Sequence, residues 1–108
     1  NAEDPENFIP QPGRISEYHQ PGGPGIRIDS ALYSGYTVPS FYDSLIAKLI
    51  SFGQNRQEAI TRMSRALKET KIEGIKTNIP LLEKIMGDHE FQEGHFSTSY
   101  LQKFIDKA

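Results

Sequence analysis

Few side chains in this sequence combine the residue types and the spacing that catalysis requires. The sequence has no cysteine, so it offers neither a thiolate nucleophile nor a thiolate metal site. Its three histidines, His19, His89 and His95, are scattered and lack the i, i+4 spacing of a helical zinc site. Ser44 lies outside any Gly-x-Ser-x-Gly setting. We therefore predict no catalytic residue and no metal site within these 108 residues.

A glycine- and proline-rich stretch, QPGGPG at residues 20–25, is a candidate for anion binding, because backbone N–H groups of such loops can cradle a phosphate. It departs from the phosphate-loop pattern, since no Lys-Ser or Lys-Thr pair follows it and its two prolines lack N–H donors. The next segment alternates like a strand. The sequence therefore predicts a hairpin turn here.

Arg27 and Asp43 each allow two interpretations. Arg27 follows the turn in an alternating segment, where an arginine usually covers the solvent face of a sheet; its guanidinium also suits bidentate pairing with a carboxylate across a protein contact. Asp43 stands at the start of an apolar segment, behind two aromatic residues. If Asp43 is desolvated there it needs a cationic partner, but an aspartate at a strand end also caps local N–H groups.

Composition indicates a single domain and excludes several classes of protein. The 12 Lys and Arg residues and 14 Asp and Glu residues are dispersed along the chain, which does not fit a nucleic-acid-binding surface. The apolar stretches are too short to span a membrane, and the N-terminus does not resemble a signal peptide. Together with the absence of cysteine, this predicts a cytoplasmic protein. The abrupt start, NAEDPENF, suggests a piece excised from a longer chain.

The elements that must position these residues change in type along the chain. Period-two alternation predicts strands at residues 13–19 and 25–30, joined by the hairpin turn, and a third strand at residues 44–52. After Gly53 apolar residues recur at helical spacing, and Asn55 followed by Glu58 is a capping pair for that helix.

The second half adds a short strand and two further helices. Residues 71–77 read as a strand broken at Gly74. A helix is predicted at residues 79–86 with Asn78 as its cap, and another at residues 99–107, capped by Thr98 or Ser97. The predicted fold class is α+β: a small antiparallel, barrel-sandwich-like β half, packed by two or three helices from the C-terminal half.

Five segments, in order and with matching gaps, together resemble the C-terminal domain of biotin carboxylase. They are NAEDP at 1–5, PGGPGIR at 21–27, GYTVPSFYDSLIAKLI at 35–50, AITRMSRAL at 59–67 and GIKTN at 74–78. The resemblance implies part of an ATP-grasp enzyme, a ligase that makes carboxyphosphate from bicarbonate and MgATP and then carboxylates biotin. The same domain recurs in acetyl-CoA carboxylase of fatty acid biosynthesis and in propionyl-CoA and pyruvate carboxylases, so it identifies the enzyme rather than the pathway.

The resemblance also assigns roles to residues of this sequence. The family's catalytic arginine is expected two residues before Asn1, so Arg27 is not that catalyst. Arg27 is implied to pair with an acidic residue of the other protomer, and Asp43 with an arginine of the N-terminal domain. Pro24 stands where some members have a bulky interface aromatic. Thr98 and Ser99 are implied to border the adenine pocket, beside the helix-cap interpretation of Thr98.

The implied cofactors are MgATP and biotin in the full enzyme, with none bound by this fragment alone. The implied partners are the chain's own N-terminal and ATP-grasp domains, a second protomer, biotin carboxyl carrier protein and the carboxyltransferase. The alternative hypothesis is a free-standing α+β interaction domain without catalysis, which binds a partner through its β half.

Overall fold

The computed structural model describes residues 1–40 and 43–105. The strands in this part of the chain are β1 (Gly13–Arg14), β2 (Glu17–His19), β3 (Ile26–Ser30), β4 (Thr37–Val38), β5 (Ala47–Ser51) and β6 (Lys71–Glu73). The helices are α1 (Arg56–Glu69), α2 (Ile79–Met86), α3 (His89–Gln92) and α4 (Gln102–Ile105). None of these helices has the length and apolar character needed to cross a membrane.

The described strands form three antiparallel ladders of two strands each: β1 with β4, β2 with β6 and β3 with β5. Of these strands all except β6 lie in the first half, and the described helices lie in the second. The α+β class, with small antiparallel sheets and helices from the C-terminal half, is thereby confirmed.

The predicted hairpin between residues 13–19 and 25–30 is wrong. β2 pairs with β6, and β3 pairs with β5 in a register that runs from Ile26 opposite Ser51 to Ser30 opposite Ala47. β3 and β5 are both five residues long, so their pairing satisfies more backbone groups than a hairpin with the three-residue β2 would. The glycine-rich stretch still turns the chain, but it leads into a long-range ladder.

The predicted strand at 13–19 is divided by a buried residue, Ile15. Its side chain is fully buried in a cluster with Ala2 and Val38. Its N–H donates to the carbonyl of Tyr36 at 2.8 Å, and its own carbonyl accepts from Gly35 N–H at 2.7 Å. Although Ile15 lies in the break between β1 and β2, its backbone N–H and carbonyl are both hydrogen-bonded, to the loop before β4.

Helix α1 begins as the sequence predicts, whereas the start of α2 differs. Asn55 Oδ1 accepts from Glu58 N–H at 2.9 Å, the predicted cap of α1. Asn78 occupies the N-cap position of α2, but its side chain does not cap the helix. Its Oδ1 accepts instead from the amino group of Asn1 at 3.0 Å, and Thr77 Oγ1 accepts the Ile79 N–H at 3.4 Å. The side chain predicted as a cap is engaged instead by Asn1, 77 positions earlier in the sequence.

The C-terminal helix is shorter than predicted. Residues 98–101 form a turn, here called the C-terminal turn, and α4 begins only at Gln102. The predicted end at Lys107 lies outside the described residues. The short helix α3 was not predicted from the sequence; it is capped by Asp88, whose carboxylate accepts from Phe91 N–H at 3.3 Å.

Gly74 allows β6 to end beside β1, which generates a first prediction. Its φ is 101°, and a Cβ at this position would overlap the carbonyl oxygen of Arg14. We expect Gly74→Ala to lower the free energy of unfolding by at least about 2 kcal/mol, because alanine would be strained at this φ as well as too close to the backbone.

Urea denaturation of the 108-residue chain measures this effect. Gly22→Ala is the matched control, because no atom lies within 4 Å of a Cβ built at Gly22. Equal stability of the two variants would contradict the role given to Gly74.

Candidate functional site

Arg27 lies on the exposed face of the β3–β5 ladder. Its Nε donates to Asp29 Oδ1 at 3.1 Å, and the two side chains are 62% and 46% exposed. The two residues share a face because they are two positions apart on one strand. The solvent-face interpretation therefore describes this chain, and the guanidinium is accessible to another protein.

Pro24 is exposed in the turn that leads into β3, and this turn is fastened to α1. Arg62 Nη1 donates to the Phe52 carbonyl at 2.8 Å, and Phe52 N–H donates to the Gly25 carbonyl at 2.7 Å. Gly25 has a φ of 73°, and a Cβ there would collide with the Arg62 guanidinium. The hydrogen bonds through Phe52 thus hold the backbone that presents Pro24 and Arg27, and glycine at position 25 leaves room for Arg62.

Asp43 is exposed, and its Oδ1 accepts from Leu45 N–H at 3.1 Å. This is the local capping interaction that the sequence allowed. In residues 1–40 and 43–105 no cation lies within ion-pair distance of Asp43. Because the carboxylate is not desolvated in this chain, the chain itself supplies no need for a cationic partner. Asp43 and Arg27 lie towards opposite ends of the β3–β5 ladder. Asp43 comes just before β5 begins at Ala47, whereas Arg27 pairs with Ile50 near the other end of β5.

Thr98 and Ser99 are exposed in the C-terminal turn. Tyr100 N–H donates to the Ser97 carbonyl at 3.0 Å and Gln102 N–H to the Ser99 carbonyl at 3.1 Å, so the turn is closed by backbone bonds. The Ser97 and Ser99 hydroxyls lie 3.0 Å apart. The predicted helix cap by Thr98 or Ser97 is wrong, because backbone turns rather than a hydroxyl lead the chain into α4.

A cluster of short polar contacts centres on Asp88, which the sequence did not single out. Lys103 Nζ lies 2.7 Å from each Asp88 oxygen, and Tyr100 Oη donates to Oδ2 at 2.6 Å. The local signal, an aspartate three residues before Phe91, predicts at most a helix cap. Lys103 lies 15 residues away along the chain, so no local pattern shows the pair.

An aromatic cluster surrounds these polar groups. The Phe91 and Phe96 rings stack with centroids 5.2 Å apart, and Tyr100 packs beside both. The Arg56 guanidinium lies 4.9 Å from the centre of the Phe91 ring and donates to the Phe91 carbonyl at 2.6 Å. Arg56, in the first turn of α1, therefore holds the end of α3.

Hydrogen bonds set the charge state of this cluster. Lys103, followed by Tyr100, lowers the pKa of Asp88 from 3.8 to about 2. The same contact raises the pKa of Lys103. Desolvation, followed by the bond to Asp88, raises the pKa of Tyr100. At neutral pH the cluster is a carboxylate held by an ammonium and a neutral phenol.

The histidines occupy exposed positions. His89 Nε2 lies 2.8 Å and His95 Nδ1 3.6 Å from the carboxylate of Glu93, while His19 is exposed on β2. Within the described ranges no three His, Cys, Asp or Glu side chains are grouped so that they could hold a metal ion.

The chain is a small α+β domain with two exposed candidate surfaces. One is the β3–β5 ladder with Arg27, and the other is the C-terminal turn with Ser99, beside the aromatic cluster. The family described as "Biotin carboxylase C-terminal domain" matches residues 1–103. The chain belongs to that family.

Individual relatives agree with this assignment. Biotin carboxylase of Haemophilus influenzae is 57% identical over 103 residues, which are 95% of this chain and 23% of that protein. Biotin carboxylase of Allochromatium vinosum is 53% identical over 105 residues, which are 97% of this chain and 23% of that protein. The chain thus spans less than a quarter of the length of these relatives.

A solved structure shows the same fold. The biotin carboxylase domain dimer of Hydrogenobacter thermophilus 2-oxoglutarate carboxylase, in complex with MgADP, ADP and bicarbonate, superposes with a TM-score of 0.92 at 48% identity. The match covers 95% of this chain and 23% of that one.

The Asp88 cluster makes the stability of the chain depend on acid pH. A carboxylate whose pKa is lowered by folding stabilises the folded state above its unfolded pKa of 3.8, and this contribution disappears as the pH falls through about 2. We expect Asp88→Asn to lower the Tm by several degrees near neutral pH. This difference in Tm from the unchanged chain should stay level down to about pH 4 and then narrow as the pH falls towards about 2.

Thermal denaturation, followed by circular dichroism at a series of pH values, measures the difference in Tm between the variant and the unchanged chain. Lys103→Met should produce the same narrowing, because it removes the other half of the ion pair. A difference in Tm that stays constant from neutral pH to about pH 2 would contradict the assignment of Asp88 and Lys103 as an ionised pair.

Proposed function

We propose that the protein to which this chain belongs is an ATP-dependent biotin carboxylase, which uses bicarbonate to carboxylate biotin on a biotin carboxyl carrier protein. In this proposal the chain closes one side of the active site and supplies dimer contacts. The match to the family over residues 1–103 carries the proposal. The likeness of the whole fold to a carboxylase domain dimer solved with MgADP and bicarbonate supports it.

The C-terminal turn is the part of this chain that we assign to the edge of the adenine pocket. Thr98 and Ser99 are exposed, and their hydroxyls can each donate and accept a hydrogen bond. Phe96, which is 50% exposed, precedes the turn and Tyr100 lies within it, so that both supply aromatic surface beside the two hydroxyls. Such a border suits the edge of a planar base. When bound, MgATP supplies the phosphoryl group that activates bicarbonate.

The exposed face of β3 is the part that we assign to the dimer interface. Arg27 Nε donates a hydrogen bond to Asp29. Within the described residues the two terminal nitrogens of the guanidinium have no hydrogen-bond partner. A carboxylate of the other protomer can therefore take these nitrogens in a bidentate contact while Asp29 holds the side chain in place. Asp43 retains an oxygen for an N-terminal-domain arginine, because Leu45 N–H engages Oδ1.

Further partners and the location follow from the same proposal. The carboxyltransferase receives the carboxyl group from carboxylated biotin, and it determines whether the final acceptor is an acyl-CoA or a keto acid. The domain works in the cytoplasm, an assignment that the absence of cysteine supports.

Bicarbonate-dependent, biotin-dependent ATP hydrolysis tests the proposed activity. We expect turnover by the full-length parent protein and none by the 108-residue chain, because the chain spans only 23% of its biotin carboxylase relatives and the ATP-grasp machinery is expected in the remainder. Turnover by the isolated chain would overturn the division of labour between the domains. Activity in neither protein would favour the free-standing interaction domain.

The interface assignment is tested in the full-length protein by Arg27→Glu. The substitution places like charges together, and we expect the dimer dissociation constant to rise at least about thirtyfold, which corresponds to about 2 kcal/mol. Sedimentation velocity at decreasing protein concentration measures the change.

Lys84→Glu is the control, because it makes the same change of charge at an exposed position of α2, outside the β3–β5 ladder. If Arg27→Glu sediments as the control does at every concentration, Arg27 does not lie in the interface.

A further inference from the structure

The C-terminal turn and α4 are joined to the rest of the fold chiefly through side chains. The backbone hydrogen bonds that begin at Tyr100, Gln102 and Phe104 end three residues earlier, within the same segment. They fix the local shape of the turn, but they do not fix where it lies relative to α2 and α3. That position depends on the side chains that reach across.

The aromatic contacts hold the segment without defining its position closely. Tyr100 packs against Phe91 of α3 and against Phe96 with ring centroids 6.2 and 5.8 Å apart, at interplanar angles of 41° and 60°. Ring contacts of this kind are favourable over a range of separations and angles, so small sliding movements change their energy little. A directional contact is needed to place the turn.

Asp88 provides that contact from a fixed point. It lies between α2 and α3, where its N–H donates to the Ile85 carbonyl at 3.0 Å and its side chain caps α3. From this junction the carboxylate receives Tyr100 Oη and, through both oxygens, Lys103 Nζ. Charge-assisted hydrogen bonds at 2.6 and 2.7 Å are short and directional, so they set the position of the segment.

Glu90 cannot substitute for Asp88 in this role. Its carboxylate lies 3.6 Å from Lys103 Nζ, and its side chain is 60% exposed, compared with 21% for Asp88. A contact of that length at the surface adds charge but fixes no geometry.

We propose that Asp88 is a positioning residue for nucleotide binding: through Tyr100 and Lys103 it holds the C-terminal turn so that Thr98 and Ser99 meet the edge of the base. This inference rests on the proposed function. Asp88 itself does not touch the nucleotide. Its loss should therefore weaken the binding of nucleotide and leave the later chemistry intact.

The test uses the full-length protein with Asp88→Asn, and it measures kcat together with the KM for MgATP and the KM for bicarbonate. Asparagine preserves the size of the side chain and an acceptor for Phe91 N–H, but it removes the charge that holds Lys103. We expect the KM for MgATP to rise about tenfold, with kcat and the KM for bicarbonate changed less than about twofold.

Lys103→Met and Lys71→Met form a matched pair for the same measurements. Each removes a lysine that contacts two carboxylates: Lys103 contacts Asp88 and Glu90, and Lys71 contacts Glu17 and Glu73 between β2 and β6. Lys103→Met should reproduce the rise in the KM for MgATP, and Lys71→Met should leave all three kinetic constants unchanged. If Asp88→Asn does not fold, Lys103→Met decides the question.

Three results would overturn the inference, and each has a separate meaning. An unchanged KM for MgATP in both Asp88→Asn and Lys103→Met shows that the cluster does not position the turn. A parallel change in kcat and both KM values, together with a lower Tm, shows that Asp88 serves stability alone. Absence of bicarbonate-dependent turnover in the full-length protein without any substitution shows that the proposed function itself is wrong.

Discussion

The pairing of β3 with β5 is the constraint on which the rest of the structure depends. It joins residues some 20 positions apart in the sequence through five consecutive residue pairs. The ladder turns Arg27 and Asp29 to the outside and brings the chain to Gly53, where α1 can begin and pack back on both strands. Without this ladder neither the exposed arginine nor the helical layer has a defined position.

Helix α1 connects the two candidate surfaces through its arginines. Arg62 lies against Gly25 in the turn before β3 and donates to the carbonyl of Phe52, directly after β5. Arg56 donates to the Phe91 carbonyl at the end of α3. The two side chains are six positions apart, so one rigid helix braces both the ladder and the C-terminal aromatic cluster. Both candidate surfaces are thus braced by the same helix.

Local signals in the sequence predicted the features that local physics controls. The Asn55 cap, the apolar periodicity of α1 and the break at Gly74 each depend on neighbours within a few residues, and each appears in the structure. The same logic failed where a distant group competes. Asn78 is engaged by Asn1, and β3 prefers the length-matched β5 to its neighbour β2. The resemblance to a known family identified the chain, although no pattern revealed the contact between Asp88 and Lys103.

The division of the described sheet structure into two-stranded ladders leaves each of these strands with one unpaired edge. Unpaired edges invite pairing with other chains, but β1 and β4 are only two residues long and have Pro12 and Pro39 beside them. The longer strands β3 and β5 carry the charged residues Arg27, Asp29 and Lys48, which disfavour pairing of another chain's strand at their free edges. The domain therefore exposes a sheet surface to its neighbours with little tendency to form extended fibrillar assemblies.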